Sequence, residues 1–115
     1  AALLQGTGST LGPEGVALYA RLLRDRAHVE GTLLMMSQWS LDGLLADLPE
    51  IAAPTLFLLG ENDATVPPAS AETAASRMAR ARAERLPGLG HLAHEEEPRL
   101  AASRIGTFMA DALSA

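Results

Sequence analysis

The stretch Pro54-Thr55-Leu56-Phe57-Leu58-Leu59-Gly60 limits the possible folds of this chain more than any other. A short apolar run without alternation fits a strand covered on both faces, as in a parallel sheet. Gly60 ends it, and the polar loop Glu61-Asn62-Asp63 follows before Pro67 and Pro68. Residues 69–79 are Ala-rich, with Glu72 early and Arg77 and Arg80 late, an order that suits a helix dipole. A second short strand is expected over 81–86, on the slighter evidence of Ala83 and Leu86, and the turn Pro87-Gly88-Leu89-Gly90-His91 closes it. From Pro98 onward, Ala101, Ile105, Phe108, Met109 and Ala112 recur at helical spacing. Residues 54–113 therefore read β-α-β-α, a parallel pair with a right-handed crossover. The expected class is α/β with an incomplete parallel sheet. Two strands alone make a marginal sheet, so further strands are expected from N-terminal sequence or from a partner chain.

The first part of the chain has a different character. Gly6-Thr7-Gly8-Ser9-Thr10 looks like a phosphate-cradling loop, but it lacks the Lys and the Gly spacing of one and reads as a plain entry loop. Thr10 is in cap position, and Pro13 and Glu14 suit a first turn. Val16, Tyr19, Ala20 and Leu23 then predict a helix over about 13–25. A second is expected over about 27–38, with Val29, Leu33, Met36 and the pair Met35–Trp39 as its apolar side. A third runs from Ser40, with Leu41, Leu44, Leu45 and Leu48 inward and Pro49 ending it. The division is a helical segment over 1–48 and an α/β segment over 49–115, joined at Ile51-Ala52-Ala53-Pro54.

Composition excludes several functions. The net charge of −5, with arginine as the sole cation type, argues against a nucleic-acid surface. The absence of cysteine removes disulfides, thiolate chemistry and thiolate metal sites. No apolar run approaches the ~20 residues of a membrane span. The start, AALLQGTGST, has no Met and no signal-type segment, and reads as a cut into a longer, cytoplasmic protein. Aromatic residues make up 3% of the chain, so any core rests on many small Ala and Leu contacts.

Asp63 and His91 carry the chemistry. Both sit on loops leaving the carboxyl ends of strands, where α/β sheets place functional groups. The crossover would set these loops side by side, although about thirty residues separate them in sequence. An aspartate there can accept the imidazole Nδ1–H and fix its tautomer, freeing the other nitrogen to take a proton. The plainer alternatives are turn chemistry for the aspartate and a capped loop position for the histidine. His91, His94 and Glu95–Glu97 match neither His-Glu-x-x-His nor His-x-x-Glu-His, so no metal or cofactor is implied. The three glutamates read as acidic residues before the last helix, favoured by its dipole.

These residues carry a resemblance. Gly60-Glu61-Asn62-Asp63 with Val66-Pro67, and Gly90-His91 with Glu96 and Pro98, resemble the acid and histidine loops of α/β-hydrolase-fold proteins. Within that fold, Thr7-Gly8-Ser9-Thr10-Leu11, Gly15 to Tyr19, Thr65 to Pro68 and Leu86 to Glu95 are similar to the magnesium-chelatase accessory type of bacteriochlorophyll biosynthesis. The resemblance implies that residues 1–48 are a cap and 49–115 the C-terminal part of the core. It implies Asp63 and His91 as catalytic residues, with an apolar or ester substrate. It also allows a non-catalytic accessory that binds a tetrapyrrole or a chelatase subunit, with Met35, Met36 and Trp39 lining a pocket. A third expectation is an inactive truncated piece that forms homo-oligomers. The pattern departs in one respect. No Gly-x-Ser-x-Gly elbow is present, and Ser9, Ser37, Ser40, Ser70, Ser76 and Ser103 lack that context, so this segment alone is not expected to hydrolyse anything.

Overall fold

The computed structural model describes residues 2–114. Helix α1 (Ala2–Gln5) leads through a glycine-containing loop to α2 (Pro13–Leu22) and α3 (Arg26–Ser37), then to α4 (Leu44–Asp47) and a 3-10 turn (Leu48–Glu50). Strand β1 (Thr55–Gly60), α5 (Pro68–Ser76), β2 (Ala81–Leu86), α6 (Ala93–Glu96) and α7 (Pro98–Leu113) follow. Strands β1 and β2 are parallel, in register from Thr55 opposite Ala81 to Gly60 opposite Leu86. The expected β-α-β-α order is present, with one helix, α6, added between His91 and the last helix.

The polar residues of β2 are accounted for by strand alternation, which sends neighbouring side chains to opposite faces. Arg82 and Glu84 turn towards α7, where they meet Asp111 at 3.6 Å and Arg104 at 3.0 Å. Arg82 also lies over the Phe108 ring, 5.3 Å from its centroid. Arg85, on the other face, makes a two-pronged contact with Glu72 of α5 at 2.6 and 2.9 Å. These pairs are solvated and so align the helices more than they stabilise them.

The buried apolar residues are Leu48, Ala75, Met78, Leu86, Ala93 and Ala101, which lie mostly where α5, α6 and α7 meet the sheet. Several expectations fail here. β1 has α5 and α7 against its two faces as expected, but is only half-buried over Thr55–Leu59, because among the described residues it pairs along one edge only. Of the apolar side expected for α3, Leu33, Met36, Met35 and Trp39 are all exposed. Leu41, Leu44 and Leu45 are exposed as well, and Leu48 alone of that group is buried. Helical spacing fixes which residues share a face, but not that another element covers it. In α7 only Ala101 is buried, while Ile105 and Met109 are exposed. α4 does end ahead of Pro49, at Asp47, and Pro49 sits in the 3-10 turn that follows, where its missing N–H costs nothing. Thr10 is not a cap. Gly12 takes that position for α2, and Asp25 caps α3 by accepting from the His28 N–H at 3.2 Å.

Candidate functional site

The site grows out of the strand ends. Beyond Gly60 and Leu86 the two chains continue side by side as loops. Glu61 N–H donates to Leu86 O at 3.1 Å and Asn62 N–H to Leu89 O at 2.8 Å. The Glu61 carboxylate accepts in return from Gly88 N–H at 3.2 Å. Gly88 has φ +75°, the left-handed region that glycine enters without a Cβ penalty, and so makes the turn towards His91.

Asp63 divides its carboxylate between two tasks. Oδ1 accepts from the Thr65 and Val66 N–H groups, each at 2.8 Å, closing a local turn. Oδ2 lies 2.8 Å from His91 Nδ1. Burial pushes the carboxyl up, but the Val66 amide, the His91 ring and the Thr65 amide outweigh it and hold Asp63 below its ordinary value. The ionised carboxylate is acceptor-only, so Nδ1 carries the proton and Nε2 is left with its lone pair. The aspartate side chain is 12% exposed and the histidine 38%. The arrangement holds the carboxylate inside and leaves the imidazole open to a reactant. His94 lines the same hollow as His91, with Nε2 at 3.7 Å from Glu95. Asp63 and His91 face a hollow of about 270 Å³ walled by Leu58, Val66, Leu86 and Ile105.

The N-terminal glycine loop is part of this site, which its sequence does not reveal. Thr7 O accepts from His91 N–H at 3.0 Å and from Ala64 N–H at 3.4 Å, bridging the acid and histidine loops. Three glycines allow the approach. A Cβ on Gly8 would fall 1.9 Å from Asn62 O, one on Gly60 2.0 Å from Gly90 O, and one on Gly90 2.3 Å from the Gly8 carbonyl carbon. Glu96, read as a dipole partner of the last helix, instead accepts from Thr10 and Gly90 N–H. Tyr19 of α2 donates to the Glu95 carboxylate, tying the helical segment to α6. That bond, then burial and the adjacent negative charge, push the phenol up to about 12. Glycines without helical or strand periodicity around them were the available signal for the loop contact; nothing in the spacing marked Glu96.

Met35, Met36 and Trp39 are each more than half exposed and lie apart from the Asp63–His91 hollow. A second, apolar hollow of about 170 Å³ lies in the helical segment against α2, lined by Leu4, Val16, Tyr19, Leu22, Leu23 and His28. Among the described residues no helix is long and apolar enough to cross a membrane.

Comparison with known proteins agrees with this architecture. A family model described as "Alpha/beta hydrolase family" matches residues 3–104. The "Magnesium-chelatase 30 kDa subunit" of Rhodobacter capsulatus is 41% identical over 93 residues, which cover 81% of this chain and 32% of that protein. The chain thus spans about a third of the length of the curated relative it matches. With a parallel strand pair, an aspartate and a histidine on the loops that leave it, and a family match along most of the sequence, the chain belongs to the alpha/beta hydrolase family.

Proposed function

We propose that Asp63 and His91 are the acid and base of a serine-type hydrolase acting on an ester or related bond, beside magnesium chelatase in bacteriochlorophyll biosynthesis. One observation carries the reading: the 2.8 Å contact between Asp63 Oδ2 and His91 Nδ1, with the other carboxylate oxygen fixed by two backbone amides. In that role Asp63 orients the ring and stabilises the imidazolium, and it does not itself take the proton. His91 Nε2 accepts the hydroxyl proton as the serine oxygen bonds to the acyl carbon. It then returns that proton to the departing alkoxide. The serine and the oxyanion donors are assigned to a further part of the protein, reaching the hollow beside Val66 and Ile105. Residues 1–48 serve as the cap over it. In the full-length protein, His91→Ala should lower kcat/KM for an aryl ester by about 10³-fold or more. Turnover unaffected by that change rules the reading out.

The name of the relative and the exposed Met35, Met36 and Trp39 support a second reading, a non-catalytic accessory to the chelatase. Here the helical segment presents its apolar side to a tetrapyrrole or to a chelatase subunit. Trp39 is the sole tryptophan, so its fluorescence reports contact directly. Porphyrin quenching of Trp39 that survives His91→Ala and weakens in Met35→Ala favours this reading. No quenching at micromolar porphyrin counts against it.

A further inference from the structure

Three consecutive backbone N–H groups surround the candidate base, and each has its own acceptor outside any helix or strand ladder. Gly90 donates to Glu96 Oε2 at 2.7 Å, His91 to Thr7 O at 3.0 Å and Leu92 to Ser9 Oγ at 2.8 Å. Glu96 Oε1 accepts from Thr10 N–H at 2.8 Å, and the nearby Ser9 hydroxyl helps to hold the same carboxylate below its ordinary value. One side chain thus joins the turn that carries His91 to the 7–10 loop that holds His91 and Leu92.

The chemistry of the group fits the task. An ionised carboxylate is acceptor-only and has two oxygens, so it can take an amide from each loop at once. Charge-assisted bonds of this kind are roughly twice as strong as neutral ones. A histidine on a turn otherwise has free backbone torsions, and productive acid–base geometry needs holding within about 0.5 Å. Attraction to the last helix does not account for the contacts, since both oxygens face loop amides and α7 begins two residues later at Pro98.

We propose that Glu96 is a positioning residue for His91, clasping the 90–92 turn to the 7–10 loop so that the imidazole meets Asp63 in one pose. The proposal rests on the acid–base reading of Asp63 and His91 but needs no turnover to be tested. Glu96→Gln keeps the shape, yet its amide NH2 must face one of the two N–H donors.

The test is nitrogen-15 NMR of the histidines in the 115-residue chain, reading the exchange of the His91 Nδ1–H with water. In Glu96→Gln this exchange should quicken by at least about tenfold, the loss expected for one charge-assisted hydrogen bond. The His91 ring resonances should move with it, while the far-ultraviolet circular dichroism stays unchanged. Ser9→Ala, which removes the Leu92 acceptor, should act in the same direction. Glu72→Gln, a carboxylate paired with Arg85 on the sheet, should change neither readout. Wild-type exchange and ring resonances in both Glu96→Gln and Ser9→Ala overturn the proposal. If Glu96→Gln does not fold, wild-type behaviour of Ser9→Ala alone overturns it. Asp63→Asn separates the two claims. If it leaves His91 unmoved, the acid–base reading fails. If it moves His91 and the other variants do not, the positioning role alone fails.

Discussion

Asp63 is held by three hydrogen bonds that all favour its charged form, and this links the site to pH. Its folded value lies below the ordinary 3.8, so in the acid range the unfolded chain binds the proton more readily. The contribution is present above the ordinary value and is lost as pH falls through the folded one. Glu96, lowered from 4.5 by the Thr10 and Gly90 amides and Ser9 against the opposing effect of burial, acts in the same window. Urea unfolding from pH 6 downward should show stability falling below about pH 4. Asp63→Asn should flatten part of that slope, and an unchanged slope would contradict the assignment. Tyr19 works at the other end of the scale. Its phenol is raised from 10.0 to about 12, so its contribution is present below the ordinary value and lost as pH rises through the folded one. It is the only tyrosine, so ultraviolet titration follows it alone. The midpoint should be near 12, and Glu95→Gln should bring it back towards 10.

At the scale of elements, the loops decide more than the strands. β1 was legible because an unbroken apolar run between Pro54 and Gly60 has few other uses. β2, Ala-Arg-Ala-Glu-Arg-Leu, was fainter, since its charged residues are satisfied by partners on α5 and α7 that are remote in sequence. The loop over residues 6–10 carried no periodic signal, yet it packs backbone to backbone against the loops of Asp63 and His91 through Gly8, Gly60 and Gly90. Gly90→Ala would drive its Cβ to within 2.3 Å of the Gly8 backbone, where no flexible side chain can yield. The expected cost is about 1–3 kcal/mol, seen as a lower urea midpoint. The same change should shift His91 resonances. Gly31→Ala, with open space around its Cβ in α3, should instead leave stability equal or slightly raised, and equal effects of the two would refute the packing argument.

The whole molecule exposes more than its mass explains. Its surface is 8175 Å², against about 6000 Å² for a compact monomer of this size. Its radius of gyration is 16.1 Å, where about 13 Å is the norm for this length. The excess lies largely on the N-terminal helices, where Leu18, Leu33, Leu34, Met35, Met36, Trp39, Leu41 and Leu45 all face out. An apolar surface of that extent favours association. Light scattering of the 115-residue chain should therefore give a mass that is a multiple of 12.0 kDa. A stable monomer that does not bind a hydrophobic dye would contradict this.

By itself the sequence determined the β-α-β-α order that begins at Pro54 and the placing of Asp63 and His91 on the loops that leave its strands. Apolar spacing, prolines and glycines act locally, so a parallel β-α-β with an aspartate and a histidine at its strand ends could be read directly from Pro54 to His91. Only the tertiary structure decided which apolar faces are covered, and it left those of α3 and α4 open. It alone brought Ser9, Thr10 and Glu96 together from opposite ends of the chain. The reason is physical: periodicity records which side of an element is apolar, whereas a hydrogen bond between residues 86 positions apart leaves no trace in spacing. The strand that ends at Gly60 presents Asp63, but the pose of its partner is set by a loop and a glutamate that local sequence rules do not connect to it.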